Sequence, residues 1–224
     1  MDAPPAPLLF HFDFISPYAF LAWTQIRRIS AQAGRTVRPV PVLFAALLDS
    51  HGQKGPAEIP AKRRYLFKDV ARKAHRLGVP SVAPPPAHPF NPLLALRVAS
   101  LPLAHDAREA VIDALYAAAW TKRQAIDTAD AVTSVLTSAG LDGPGLVAAA
   151  ATPEAKATLR SATDAAIARG VFGVPSIVLG DELFWGTDSL ADLEAHLRGE
   201  LPPFPDAGWS DLPAAAVRKG SLRS

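Results

Sequence analysis

The chain has 224 residues, 49% of them hydrophobic and 20% charged, with a formal net charge of +2; that is enough apolar material for a substantial core and too little charge bias for general polyanion binding. It contains no cysteine, which excludes disulfides, thiolate nucleophiles, zinc–thiolate sites and iron–sulfur clusters, so any thiol used here must arrive with a ligand. No run approaches the ~20 apolar residues of a membrane span, and the opening MDAPPAPLLF carries no basic n-region, so a cytoplasmic protein is expected, with neither membrane nor nucleic acid as a partner.

In chain order, LLFHFDF (8–14) alternates as a strand does, with Phe10, Phe12 and Phe14 on one side and His11 and Asp13 on the other. SPYAFLAWTQIRRISAQAG follows with helical spacing through Phe20, Trp23 and Ile26, and Gly34 stands where a residue just past a helix should. TVRPVPVLF (36–44) reads as a second strand whose prolines suit an edge. The first ~45 residues are therefore β-α-β, a unit that favours parallel pairing.

From residue 45 to about 170 the segments are helical and alanine-rich: PAEIPAKRRYLFKDVARKAHRLG, PFNPLLALRVASL, DAREAVIDALYAAAWTK, TADAVTSVLTSAG and PEAKATLRSATDAAIARG. The linker GVPSVAPPPAHPF (78–90) is too rich in proline for a helix interior. Strand character returns in PSIVLGDELFWG (175–186), where two apolar runs meet at Gly180-Asp181, a pair suited to a tight hairpin. TDSLADLEAHLRG is a last helix, and the stretch from Pro202 to Ser224 has no clear periodicity. The order β-α-β, helical block, β-β-α gives an α/β fold, a thioredoxin-like sheet with a large all-helical insertion. The expected units are a thioredoxin-like part at 1–45, a helical insertion at 46–170, the returning thioredoxin-like part at 171–201, and a flexible tail at 202–224.

Two prolines carry the chemical question. Ser16-Pro17 is a plain way to begin a helix, because serine caps well and proline fits the first turn. The same helix tip offers free N–H groups and a positive dipole to a nearby anion. Pro175, in GVFGVPSIV, stands at the start of the third strand, where a thioredoxin-like sheet characteristically has a cis-proline facing the tip of the first helix. The backbone of Val174 would there be open to an extended ligand.

S-P-Y-A at 16–19 is similar to the C-P-x-C motif of bacterial disulfide oxidoreductases, with serine and alanine in place of the cysteines. FDFISPYAFLA, GQKGPAEIPAKRRYL, GVFGVPSIV and ELFWGTDSL together resemble the 2-hydroxychromene-2-carboxylate isomerases and their relatives, the kappa-class glutathione transferases, in register over about residues 8 to 200. The resemblance implies a thioredoxin-like fold with a helical insertion that binds glutathione as a cofactor, isomerises a small aromatic carboxylate to trans-o-hydroxybenzylidenepyruvate, and assembles as a homodimer. It implies Ser16 as the catalytic hydrogen-bond partner of the glutathione sulfur, with Pro17 and Tyr18 beside it. Val174, before Pro175, would pair with the cysteinyl part, and Thr187 and Asp188 would hold the γ-glutamyl end. Lys62 matches the family lysine, whereas Gln53 stands where the family has asparagine, so its longer side chain moves the amide.

Other readings stay open at this stage. Thr187 and Asp188 also make good helix caps, and Lys62 belongs to a basic run, Arg63, Arg64, Lys68, Arg72, Lys73 and Arg76, whose default is solvated surface. Asn91 reads first as a cap and second as a substrate contact; Lys62 and Trp185 are further candidates for the substrate. Tyr18 and Trp185 would line an aromatic pocket unless core packing claims them. Asp13 is expected to satisfy backbone groups rather than to join His11 and Ser16 in a triad. The six histidines show no metal-ligand spacing, and no metal is expected. The alternatives to the isomerase are a kappa-like transferase or peroxidase, and a non-catalytic thioredoxin-like binding module.

Overall fold

Phenylalanine at every second position makes one face of the first strand too apolar for water, and the fold is organised around it. In the computed structural model, which describes residues 5–202, β1 (Leu8–Phe12) lies inside a four-stranded sheet of order β2-β1-β3-β4. β2 (Val37–Pro41) pairs with it in parallel, Leu8 opposite Val37 and Phe12 opposite Pro41. β3 (Ser176–Leu179) pairs antiparallel on the other side, with His11 opposite Ser176, and β4 (Glu182–Trp185) closes a hairpin with β3. The hairpin turns at Gly180-Asp181, where Gly180 takes φ +61° as the first position of such a loop requires. The prolines of β2 lie on an edge strand, where a missing N–H is tolerated.

α1 (Pro17–Gln32) follows β1, capped by Ser16 and ended at Ala33 with Gly34 at φ +63°. The strand expected to reach residue 44 stops at Pro41, and Phe44 already opens α2 (Phe44–Ser50). The expected helix from Pro56 is divided: Pro56–Glu58 forms one 3-10 turn, the chain straightens at Ile59, and α3 (Pro60–Arg76) begins with proline in its first turn. The proline-rich linker carries no helix and leads to α4 (Leu93–Ser100), α5 (His105–Trp120) and α6 (Ala129–Ser138). α7 (Gly143–Ala150) had no counterpart in the sequence reading, because GPGLVAAA looks like a turn. Asp142 caps it through the Gly145 N–H, and at Gly143 a β-carbon would collide with the Thr133 carbonyl. α8 (Pro153–Ala168) precedes β3, and α9 (Leu190–Leu197) follows β4.

One apolar cluster joins Leu8, Phe10 and Phe12 of β1 to α1, α3, α4, α5, α6 and α9, with Trp23, Tyr116 and Trp120 fully enclosed. A smaller one, Val42, Leu47, Ala166, Val171, Val174 and Val178, covers the opposite sheet face beneath α2 and α8. Among the described residues no helix is long and apolar enough to cross a membrane. Of the expected tail at 202–224, residues 203–224 lie outside the described residues.

Candidate functional site

The turn between β1 and α1 is held from within by Asp13 and from outside by side chains distant in sequence. The Asp13 carboxylate accepts the Ile15 N–H (3.0 Å) and the Phe44 N–H (2.9 Å), joining the end of β1 to the start of α2. The next three carbonyls each take a side-chain donor from outside the turn: Tyr116 Oη–H to Asp13 (3.4 Å), Trp120 Nε1–H to Phe14 (2.8 Å) and His88 Nε2–H to Ile15 (3.0 Å). Ser16 is thereby presented at a fixed tip. Its Oγ accepts the Ala19 N–H at 3.2 Å and donates to the Val174 carbonyl at 3.4 Å, a long and easily redirected bond. Pro17 has no N–H, and the Tyr18 N–H bonds to no backbone group among the described residues.

The segment facing this tip runs from Val171 to Asp188. The Val174-Pro175 peptide is cis, and the Pro175 carbonyl takes the Gly186 N–H at 2.9 Å. The Val174 N–H has no backbone partner among the described residues. Trp185 packs on Phe172 at 5.0 Å between ring centroids and lies so close over Gly173 that a β-carbon there would come within 2.6 Å of its Nε1. Thr187 is buried, and its Oγ1 has no partner among the described residues. Beside it Asp188, with a side chain 78% exposed, receives the Lys73 ammonium at 2.9 Å. Lys73 also meets Asp69 at 3.0 Å, and Asp69 accepts the Tyr18 hydroxyl at 2.9 Å. A chain of polar contacts therefore crosses from the α1 tip over α3 to the residues before α9.

The family model of the DSBA-like thioredoxin domain matches residues 8–198. The chain belongs to that family. Within it, the chain is 29% identical over 190 residues to a 2-hydroxychromene-2-carboxylate isomerase of Pseudomonas putida, covering 84% of this chain and 92% of that protein. It is 26% identical over 222 residues to the human glutathione S-transferase kappa 1, covering 92% and 98%. A solved 2-hydroxychromene-2-carboxylate isomerase superposes with a TM-score of 0.79 at 26% identity, covering 87% of this chain and 95% of that one.

As a DSBA-like thioredoxin chain, the protein brings Ser16, Pro17, Tyr18, Val174, Pro175, Thr187 and Asp188 to one end of its sheet. Gln53 and Lys62 are both exposed, Gln53 just after α2 and Lys62 in the first turn of α3, and neither side chain has a protein partner among the described residues. Asn91 is exposed and accepts the Leu93 N–H at 3.1 Å, so its amide serves the start of α4. Trp185 is not core but 53% exposed. Two expectations need correction. Neither the Thr187 nor the Asp188 side chain caps a helix: Ser189 precedes α9, which begins at Leu190, and Thr187 meets the Leu190 N–H only through its backbone carbonyl at 3.5 Å. Lys73 is not solvated surface: its side chain is 12% exposed, because two carboxylates draw it inward. Burial alone would lower its pKa, but the bonds to Asp188 and Asp69 outweigh that and raise it. Among the described residues no cluster of His, Asp and Glu is arranged to hold a metal ion.

Sequence reasoning missed Asp69, Lys73, His88, Tyr116 and Trp120. For the first two the signal was present: 62, 65, 69 and 73 fall on one helical face. His11 is no base here, since burial drives its pKa down to about 4. Burial pushes the Asp13 carboxyl up to about 7, against the pull of its two N–H donors. Its folded pKa thus lies above the unfolded value, so the folded chain retains a proton the unfolded chain has lost. The contribution of Asp13 to stability is therefore full below about pH 4, falls by up to about 1.4 kcal/mol per pH unit towards about pH 7, and is gone above, while His11, whose folded pKa is depressed, contributes in the opposite sense between about pH 4 and 6.5. Asp13→Asn loses one of the two N–H acceptors at every pH and keeps only the His11 slope, so the stability of wild type minus that of Asp13→Asn is expected to fall from about pH 4 to pH 7; urea unfolding of both proteins across that range is the check.

Proposed function

We propose that the chain is a glutathione-dependent isomerase of 2-hydroxychromene-2-carboxylate-type aromatic acids, with Ser16 as its catalytic residue. The observation that carries this reading is the Ser16 hydroxyl, held by the α1 tip against the Val174 carbonyl in a chain that has no thiol of its own. The likeness to the Pseudomonas putida isomerase over nearly its whole length supports it. The donor set fits the tripeptide. The buried, unbonded Thr187 Oγ1 suits its γ-glutamyl carboxylate, the open side of Asp188 suits its ammonium, and the unpaired Val174 N–H suits its cysteinyl carbonyl. Glutathione, when bound, supplies a thiolate able to add reversibly to a conjugated acid. The protein's residues do the rest. Ser16 turns its proton from the Val174 carbonyl to the sulfur, while the Ala19 N–H keeps Oγ in place. The Tyr18 N–H and the helix dipole add positive potential at the same point. Lowering a thiol pKa from ~8.5 to ~6.5 needs about 2.7 kcal/mol, which one charge-assisted hydrogen bond and a helix tip together supply. Lys62, at the free end of α3, attracts the substrate carboxylate, and Trp185 offers its exposed indole face to the ring.

The test is turnover of a hydroxychromene carboxylate with catalytic and with excess glutathione. Many turnovers per glutathione are expected. Glutathione consumed one for one would establish the transferase reading that the human kappa relative suggests. Binding without turnover of any such acid would leave a binding module.

A further inference from the structure

We infer that His88 is a positioning residue for Ser16: its imidazole fixes the peptide plane immediately before the serine and so sets the direction of the hydroxyl. This rests on the isomerase reading only for its kinetic consequence. A carbonyl oxygen can only accept, so the 3.0 Å contact with Ile15 requires the proton on Nε2 and leaves Nδ1 as a lone pair. Nδ1 is buried and has no partner among the described residues, so the ring is seated for this single bond. Phe67 and Trp120 flank it edge-to-face, each at 5.5 Å, and the Arg63 guanidinium holds its backbone carbonyl at 2.8 Å. At Ile15 the N–H is fixed by Asp13 and the C=O by His88, so both ends of that residue are pinned. The Ile15–Ser16 peptide then has one orientation, and Ser16 keeps its capping geometry of φ −91° and ψ 114°. Without the imidazole donor that peptide is held only through the Ser16 N–H, which bonds the Asp13 carbonyl at 3.1 Å; its tilt is then less restrained, and the hydroxyl is aimed less well at the sulfur although nothing at the ligand has changed. Trp120 and Tyr116 hold the two preceding carbonyls, but as enclosed core residues their removal opens cavities. His88, on the linker between α3 and α4, is the one of the three that can be changed without emptying the core.

The experiment compares His88→Leu, which removes the donor, with His88→Gln, whose amide nitrogen can replace Nε2–H. The ultraviolet absorbance of the thiolate of bound glutathione is followed against pH beside steady-state kinetics. His88→Leu is expected to lower kcat about tenfold and to raise the bound thiol's pKa by about half to one unit, while glutathione affinity changes less than about threefold, since small misplacements cost rate before binding. His88→Gln is expected to recover most of both losses. Normal kcat and thiol pKa in His88→Leu, or equal losses in both variants, would overturn the inference. If His88→Leu does not fold, His88→Phe keeps the aromatic volume and is read in its place. Hydrogen exchange at the Ser16 and Ala19 amides needs no ligand and separates the two readings. Faster exchange in the Leu variant with no glutathione binding in any form would sink the cofactor assignment and keep the positioning role; unchanged exchange would sink the positioning role alone.

Discussion

Ser16→Ala is expected to lower turnover at neutral pH about a hundredfold while the protein stays folded. Two roles meet in this hydroxyl, and they differ in size. As the cap of α1 it accepts the Ala19 N–H, and losing such a cap costs ~0.5–2 kcal/mol of stability. As the donor to a bound thiolate it is one preorganised hydrogen bond to a charge, a class whose removal costs about 10²–10³ in rate. A melt therefore shows a modest fall where the rate shows a large one. The pH profile adds a signature that a cap cannot imitate. With the donor gone the bound thiol returns towards its ordinary pKa of ~8.5, so much of the lost rate is regained on raising the pH through that value. A variant with normal rates at pH 7 and only a lower melting point would reduce Ser16 to a cap.

What could be read from the sequence follows the range of the forces involved. The alternation of Phe10 and Phe12, the Ser16-Pro17 start, Gly34 and the Gly180-Asp181 hairpin are local signals, and each element lies where its residues indicate. α2 and α7 were not legible, because what starts them is not local periodicity: Phe44 is held by Asp13 from the end of β1, and α7 rests a glycine on the Thr133 carbonyl. The clamp on the Ser16 turn was likewise hidden. Its bonds join residues 73, 103 and 106 positions apart, and no pattern within a helix or linker announces them. Lys73 was misread for a related reason. Within α3 it is one basic residue among several, and only the fold supplies the second carboxylate, Asp188, that turns a surface cation into the centre of a network.

Asp188→Asn is expected to weaken glutathione binding about ten- to a hundredfold and to leave the rate at saturating glutathione nearly unchanged. A capping role would make this substitution almost silent, since asparagine caps as well as aspartate; but Asp188 lies outside α9 and bonds to no helix N–H, so that explanation is absent. Its one protein partner among the described residues is Lys73, which takes Oδ1 and is itself balanced by Asp69. The carboxylate is thus oriented from one side and open on the other, where an ammonium can reach Oδ2. Replacing it with an amide removes a charge-assisted bond worth ~1.5–3 kcal/mol, which converts to the stated loss of affinity. The stability cost should be small, because the side chain is exposed and solvent screens its pair with Lys73. The rate is spared because the ammonium lies at the far end of the tripeptide from the sulfur, so the contact binds ground and transition states alike. Titration calorimetry supplies the decisive control: an otherwise identical thiol without the amino group should bind wild type and Asp188→Asn equally. Unchanged affinity for glutathione itself in Asp188→Asn would move the γ-glutamyl pocket elsewhere.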